Sequence, residues 1–321
     1  MRHSTKQQHY IPQMILKRFY ADGYTLDREF NGEKFLWLYD KEKNIERKVD
    51  NVKQICKEKN LYEFKDRNGN IVNVNMIEKS LSNHETQWDI IFNKIEKKDF
   101  EISNLSKFEI NELYIFATLQ LLRMPMIIDK GTEFLEKYTQ KKISRHECRS
   151  VILSGSLLDN NINLFNTDMP NFLFTGFLKI LKEKELIILK SIKPLMLNTS
   201  CPIISLNDET ENGMLPDLVY PISKNSMICL YDHDKNYNDR FTDENFADSL
   251  NIAAITTGRF IVIAKPFSMI GMKLIESYLN FSEKINTRNI CQQILEKRVD
   301  LIINKNNINN KYFSELKYEA Y

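Results

Sequence analysis

Glycine is scarce in this chain, nine residues in 321, and no cluster of them makes the backbone cradle that a phosphate loop or a dinucleotide fingerprint needs. Cysteine is thin as well. Cys56, Cys148, Cys201, Cys229 and Cys291 are scattered, with no close pair of the kind that forms a zinc knuckle or a redox Cys-x-x-Cys, so reduced thiols in a cytosol are expected. No apolar run reaches the ~20 residues that cross a bilayer; the longest, 113–128, holds Arg123 and Pro125 and reads as a buried helix. The opening MRHSTKQQHY lacks the apolar stretch of a secretory signal, which makes a cytoplasmic protein without membrane contact the expectation. An excess of one charge is missing too. Lys and Arg number 45 against 43 Asp and Glu, so no global field points to nucleic acid, anionic lipid or an acidic substrate, and any such partner needs a local patch.

What is present supports a sizeable core, with 42% hydrophobic residues. The first third is mixed. Pro12 suits the first position of a helix and pushes Ile11 toward an extended conformation, leaving His9 just outside that helix. Phe35, Trp37 and Tyr39 alternate with Leu36, Leu38 and Asp40 as a strand does; a second strand is expected over 45–49 and a short helix over 50–57. Asn68-Gly69 between apolar runs at 61–64 and 71–74 predicts a hairpin. The middle is helical. Asn75 and Glu78 resemble a capping box ahead of a stripe of Ile77, Leu81, His84, Trp88, Ile91 and Ile95, and Ser106 with Glu109 opens a second helix that is apolar nearly all round. Helical patterning recurs after Pro125 to 142, over 144–158 and over 169–184. Short apolar runs at 186–192, 201–206, 227–231 and 260–264 then read as strands, with helices over 243–256 and 267–303. The fold expected is α+β: a mixed N-terminal portion, long central helices and a mostly antiparallel C-terminal sheet. It is read as a single intertwined domain over 1–321, with a subdivision into 1–158 and 159–321 as the alternative.

His9-Tyr10-Ile11-Pro12-Gln13, followed by Leu16 and Phe19, resembles the His-Tyr-x-Pro-Gln start of the family catalogued as domain of unknown function 4238. Further pieces stand in the same order: Leu36-Trp37-Leu38-Tyr39-Asp40, Lys59-Asn60-Leu61-Tyr62, Ile77-Glu78-Lys79 with Glu85, and Ala117 to Pro125 with its Gln-x-x-Arg-x-Pro. Ile203-Ile204-Ser205-Leu206-Asn207, Tyr220-Pro221-Ile222-Ser223 and Asn251 are similar to the second half. The match runs from His9 to about Pro266. One departure is clear: where the family usually has Ser-Asp-Asn-Pro, this chain has Ser205-Leu206-Asn207-Asp208, so a carboxylate is displaced and the turn proline is gone. The resemblance implies one unit spanning both halves and brings no established activity with it.

Gln120 and Arg123 are three apart on the most apolar helix, so they share a face where water should be scarce. Both are expected to have partners. Breaking a buried ion pair costs on the order of 3 to 5 kcal/mol, so a carboxylate should reach Arg123, and Glu78 and Glu85, beside Leu81 and Trp88, are the candidates. A purely structural salt bridge is the plain alternative. His9 stands before a helix whose free N–H groups at Gln13 and Met14 and positive dipole end would hold an anion and favour neutral imidazole. With a reference pKa of about 6.5, such a group serves as a general base near pH 7.

Were these groups to converge, the set would suit attack at a phosphodiester: His9 takes the proton, Arg123 balances phosphoryl charge, and Glu78 or Glu85 acts as acid. Gln13, Gln120, Tyr10, Asn207 and Asn251 are the residues expected to bind substrate. Neither metal nor cofactor is expected: Asp232-His233-Asp234 with Asn236, Asn238 and Asp239 has Tyr237 where a calcium loop wants Gly, and His146-x-Cys148 lacks a second ligand pair. Lys137, Lys141, Arg145 and Arg149 recur every fourth residue as a basic stripe, interleaved with Glu133, Glu136 and Glu147. Two functional classes follow. One is a metal-independent phosphodiesterase or ribonuclease-like effector with RNA or a nucleotide as ligand; the other is a non-catalytic module that binds a nucleotide, peptide or protein through the same polar pocket. An open cleft with His9 within reach of solvent favours the first, a sealed network the second.

Overall fold

A computed structural model describes residues 7–20, 35–40, 43, 45–59, 61–62, 64–65, 71–72, 76–124, 128–129, 131–133, 136–137, 140, 142–145, 148–149, 172–190, 198–199, 202–205, 217–232 and 260–263. Helices and antiparallel sheets share the chain, an α+β fold. The His-Tyr-Ile-Pro-Gln segment begins as a strand rather than a loop: β1 (Gln7–His9) runs antiparallel to β4 (Lys57–Lys59), with His9 opposite Lys57. Pro12 then caps α1 (Gln13–Lys17) from one position earlier than expected, at φ −54° and ψ 135°. Its carbonyl accepts the N–H groups of Ile15 and Leu16 at 3.0 and 3.2 Å.

β2 (Leu36–Asp40) and β3 (Ile45–Val49) pair from Leu36 opposite Val49 to Asp40 opposite Ile45. Alternation works as expected, with Leu36, Leu38 and Asp40 buried and Trp37 and Tyr39 half-buried. The helix expected over 50–57 does not form. A single 3-10 turn, Val52–Gln54, takes its place, because the Asn51 side chain captures the Lys53 N–H at 3.0 Å and competes with helical bonding. Cys56 then adopts φ 52°, turning the chain into β4, and its carbonyl accepts the Tyr10 N–H at 3.0 Å. A non-glycine residue is held in that sparsely populated region only by well-determined surroundings; here these are the ladder to β1. The hairpin of β5 (Phe64–Lys65) and β6 (Ile71–Val72) sits where Asn68-Gly69 predicts it. Leu61 and Tyr62 precede it as a buried turn instead of joining it.

The central helices follow their patterns. In α2 (Met76–Ile95) the stripe of Ile77, Leu81, Trp88, Ile91 and Ile95 is buried, His84 is half-buried and Phe92 joins the inner face. α3 (Lys107–Arg123) opens on the expected box, with the Glu109 N–H donating to Ser106 Oγ and the Ser106 N–H to Glu109 Oε2. It ends where Met124 turns extended ahead of Pro125. Residues 128–129, 131–133 and 136–137 are helical, and α4 (Phe172–Lys182) packs on α3. The Asn75 half of the first capping box, the helices expected over 243–256 and 267–303, and the subdivision point near Asp159 lie outside the described residues.

One four-stranded antiparallel sheet has the order β7 (Glu185–Lys190), β11 (Ser226–Tyr231), β10 (Leu218–Pro221), β9 (Ile204–Ser205). All of β10 and β11 is buried. The second sheet joins distant parts of the chain, in the order β3, β2, β12 (Phe260–Ile263), β8 (Asn198–Thr199). Helices and sheet meet in an edge-to-face aromatic cluster: Phe116 of α3 lies 5.0 Å from both Trp88 and Phe92 of α2 and 4.8 Å from Tyr220 of β10. Such contacts add to what burial alone contributes. Phe116→Ala is therefore expected to cost about 3–5 kcal/mol and Ser106→Ala about 1 kcal/mol, the order being checked by urea denaturation of the two variants.

Candidate functional site

The buried cation of α3 organises the site. Arg123 is 2% exposed, and all three of its guanidinium nitrogens are engaged. Nε donates to the Tyr62 hydroxyl at 2.8 Å, Nη2 to the His9 carbonyl at 2.7 Å, and Nη1 and Nη2 to Glu85 Oε1 at 3.3 and 3.4 Å. A planar fork of fixed donors is what lets one side chain bind three elements at once. Burial works against the charge, but Tyr62 and Glu85 outweigh it and hold the Arg123 pKa above its ordinary value. Tyr62 is fixed from both ends: its N–H donates to Gln8 Oε1 and its hydroxyl to the His9 carbonyl, both at 2.7 Å. Burial pushes the Tyr62 phenol up to about 12 in spite of Arg123, so it stays a hydroxyl. Burial likewise raises the Glu85 carboxyl, with Arg123 pulling it back, and the Glu85 side chain keeps 27% of its surface exposed at the rim. Of the two glutamates expected to meet Arg123, Glu85 makes the contact; Glu78 acts on Arg123 and Tyr62 through its charge.

His9 meets the site through its backbone. Its ring faces Gln13, whose Nε2 lies 3.4 Å from His9 Nδ1. Burial, then the neighbouring charges of Lys57 and Arg123, lower its pKa against weaker support from the backbone of Val52 and Lys53. The shift toward neutral imidazole expected from the sequence has a different cause than expected. α1 has only five residues, and the lowering comes from desolvation and two cations. Tyr10 is buried, with Ile11, in the core that surrounds the node.

Gln120 departs from expectation. It is 1% exposed, and neither its Oε1 nor its Nε2 has a hydrogen-bond partner. Tyr220, 3% exposed, has an unpartnered hydroxyl as well, and burial drives its pKa far above the phenol range. Tyr62, Gln8 and Tyr220 were not among the site residues expected from charge and spacing. The signal available was their place inside or beside the matching motifs. Asn207 and Asn251 lie outside the described residues.

Other constellations resolve into supports. The basic stripe is broken: Arg149 is buried and pairs with Glu58 at 3.3 Å, and Arg145 pairs with Asp129, so these two guanidinia do not present a common face to phosphates. Asp232, at the start of the supposed calcium loop, accepts from buried Lys184 at 2.7 Å, which also reaches Asp217 at 3.0 Å. Cys148 donates from Sγ to the Ile128 carbonyl at 3.6 Å, while His146 lies outside the described residues. Glu112 of α3 accepts from Trp88 Nε1 at 3.2 Å and lies 3.2 Å from His84 Nδ1, closing α2 against α3. Among the described residues no three His, Cys, Asp or Glu side chains stand together as a metal set.

Arg123→Met is expected to destabilise by on the order of 3–5 kcal/mol, since it leaves Glu85 without its cation and the Tyr62 hydroxyl and His9 carbonyl with only their bond to each other. Arg123→Lys should recover little of this, a point charge being unable to reproduce the fork; denaturation midpoints measure both. Because the folded pKa of His9 is lowered, its contribution to stability is complete above the ordinary imidazole value of about 6.5 and is lost as pH falls through the folded value. Melting curves between pH 7 and 5 should show the wild type losing more stability than His9→Gln, which cannot take up the proton.

No curated protein and no solved structure matches the chain. The family described as "Protein of unknown function (DUF4238)" matches over residues 7–289. That span contains β1 through β12 and every residue of the Arg123 node. The chain belongs to the DUF4238 family.

Proposed function

We propose that the chain is a non-catalytic binding module whose polar pocket around α3 receives a nucleotide, peptide or protein partner. The observation that carries this reading is the state of Arg123. Its four hydrogen bonds are spent inside the protein, so the guanidinium is not poised to balance charge on a phosphoryl group. Gln120, Arg123 and His9 are buried rather than spread along an open cleft, and a sealed network with a few unanswered polar groups fits recognition better than turnover. A metal-independent phosphodiesterase or ribonuclease-like effector acting on RNA is the second reading. Its support is His9, beside Gln13; burial lowers the His9 pKa, the direction that favours the unprotonated form a general base needs.

The single-domain organisation is part of the proposal, supported by the pairing of β12 with β2 and by one buried cluster that includes Ile11, Phe116 and Leu230. So is a cytoplasmic home. No disulfide joins the described cysteines Cys56, Cys148 and Cys229, in keeping with a reducing compartment, and no described helix is long and apolar enough to cross a membrane.

Expression of the wild type beside a folded His9→Ala variant separates the readings. Equal growth and intact cellular RNA are expected in both; RNA loss with the wild type alone would establish the nuclease. In thermal denaturation a true ligand at 100 times its Kd should add about 2.7 kcal/mol of stability, and a panel of nucleotides and peptides that adds none would remove the binding role.

A further inference from the structure

We infer that Gln120 and Tyr220 form the reading edge of a small buried site for an uncharged ligand carrying a hydrogen-bond donor beside an acceptor, the chemistry of a carboxamide or of a lactam edge on a nucleobase. The inference rests on the binding-module reading and names its ligand class.

The starting observation is an exception within one helix. Every other buried polar side chain of α3 is answered. Glu112 takes Trp88 and His84, Thr118 donates back to the Tyr114 carbonyl at 2.8 Å, and Arg123 makes four bonds. Gln120 is buried as deeply as any of them and makes none. Buried amides are normally paired, and a leucine at this position would fill the space without stranding two donors and an acceptor.

A second group points to the same place. Phe116, Gln120 and Arg123 follow at intervals of four and three, one above the other on a single face. The Tyr220 ring packs edge-on against Phe116 at 4.8 Å, while its hydroxyl lies within electrostatic reach of Arg123, Cys56 and Glu85. The phenol thus stands against Phe116, one helical turn before Gln120, and its oxygen is unpartnered. Together the two side chains present an amide and a hydroxyl, each able to donate and to accept.

Charge selects the ligand. Arg123 is already paired with Glu85, and burial lowers the His9 pKa, so neither group stands ready for an ion. An anion would have to displace Glu85, and a cation would meet Arg123. A neutral donor–acceptor pair is what an unpaired primary amide and a phenol recognise. Glu85, partly exposed, and Gln13, half-buried, mark the side of the node nearest solvent.

The test uses the full chain in thermal unfolding, comparing wild type, Gln120→Leu and Tyr220→Phe, each with nicotinamide, adenine or uracil as neutral probes and with acetate or phosphate as charged ones. Without ligand, both variants are expected to melt at or above the wild-type temperature, by up to about 2–4 °C, because neither loses a bond. At least one neutral probe should raise the wild-type Tm, with the rise lost in both variants. A drop in Tm for the variants would overturn the inference, since Gln120 and Tyr220 would then be satisfied by trapped water in the resting protein. Equal shifts in wild type and variants, or no response to any neutral probe, would overturn it too. Should acetate or phosphate alone shift the wild type, the ligand class is wrong while the binding role stands; should no probe of either kind act, both fall.

Discussion

Everything in the site follows from carrying a guanidinium into a hydrocarbon core. A charge placed at the end of α3 has to be answered there, and the answers come from three separate stretches: the backbone of β1, the turn before the first hairpin and the rim of α2. Each partner is in turn held by something else. Tyr62 is locked by Gln8, β1 by its ladder to β4, and β4 by the left-handed turn at Cys56. The His-Tyr-Ile-Pro-Gln segment thus serves first to present a carbonyl that accepts from a cation, with its imidazole turned to a neighbouring position. Removing the charge would break the hydrogen bonds that join β1 and Tyr62 to the end of α3.

Another buried cation, Lys184, is answered in a similar way. Lys184, in the turn between α4 and β7, is held by Asp217 and Asp232, side by side at one end of the β10–β11 pair. It carries a carbonyl that accepts from Tyr114 of α3. The two cations differ in kind: a fork that reaches three elements near Tyr220, and a point charge that closes a sheet end. Between them lies the edge-to-face aromatic cluster, and beside that cluster the unanswered amide. The other buried polar side chains of α3 are answered, which gives the exception at Gln120 its weight.

Much of this could be read from residue order. The stripe of α2, the Ser106 box of α3, the β2–β3 pair and the Asn-Gly hairpin were all legible because each rests on local periodicity or local capping. The demand that Arg123 find a carboxylate was legible from burial alone. What escaped had long-range causes. β1 and β4 are three residues each and exist through their mutual pairing. β10 is buried on both faces, so it shows no alternation, and it ends in Pro221. Asn51 replaced an expected helix with one turn, a competition between side chain and backbone that periodicity does not register. Spacing on α3 placed Gln120 and Arg123 on one face, but could not say that one would be fully bonded and the other not, since the partners of Arg123 arrive from residues 9, 62 and 85.

The pairing of β12 with β2 has a bearing on how the chain is made. Roughly 220 residues separate Asp40 from its partner Phe260, and at translation rates of about 5–20 residues per second the earlier strand waits on the order of ten seconds or more. During that interval one side of β2 has β3 alongside it and the other edge stays open to any passing strand. Nascent chains stalled before codon 260 would therefore be the sticky species, and chaperone demand should concentrate on the ribosome rather than on the finished molecule.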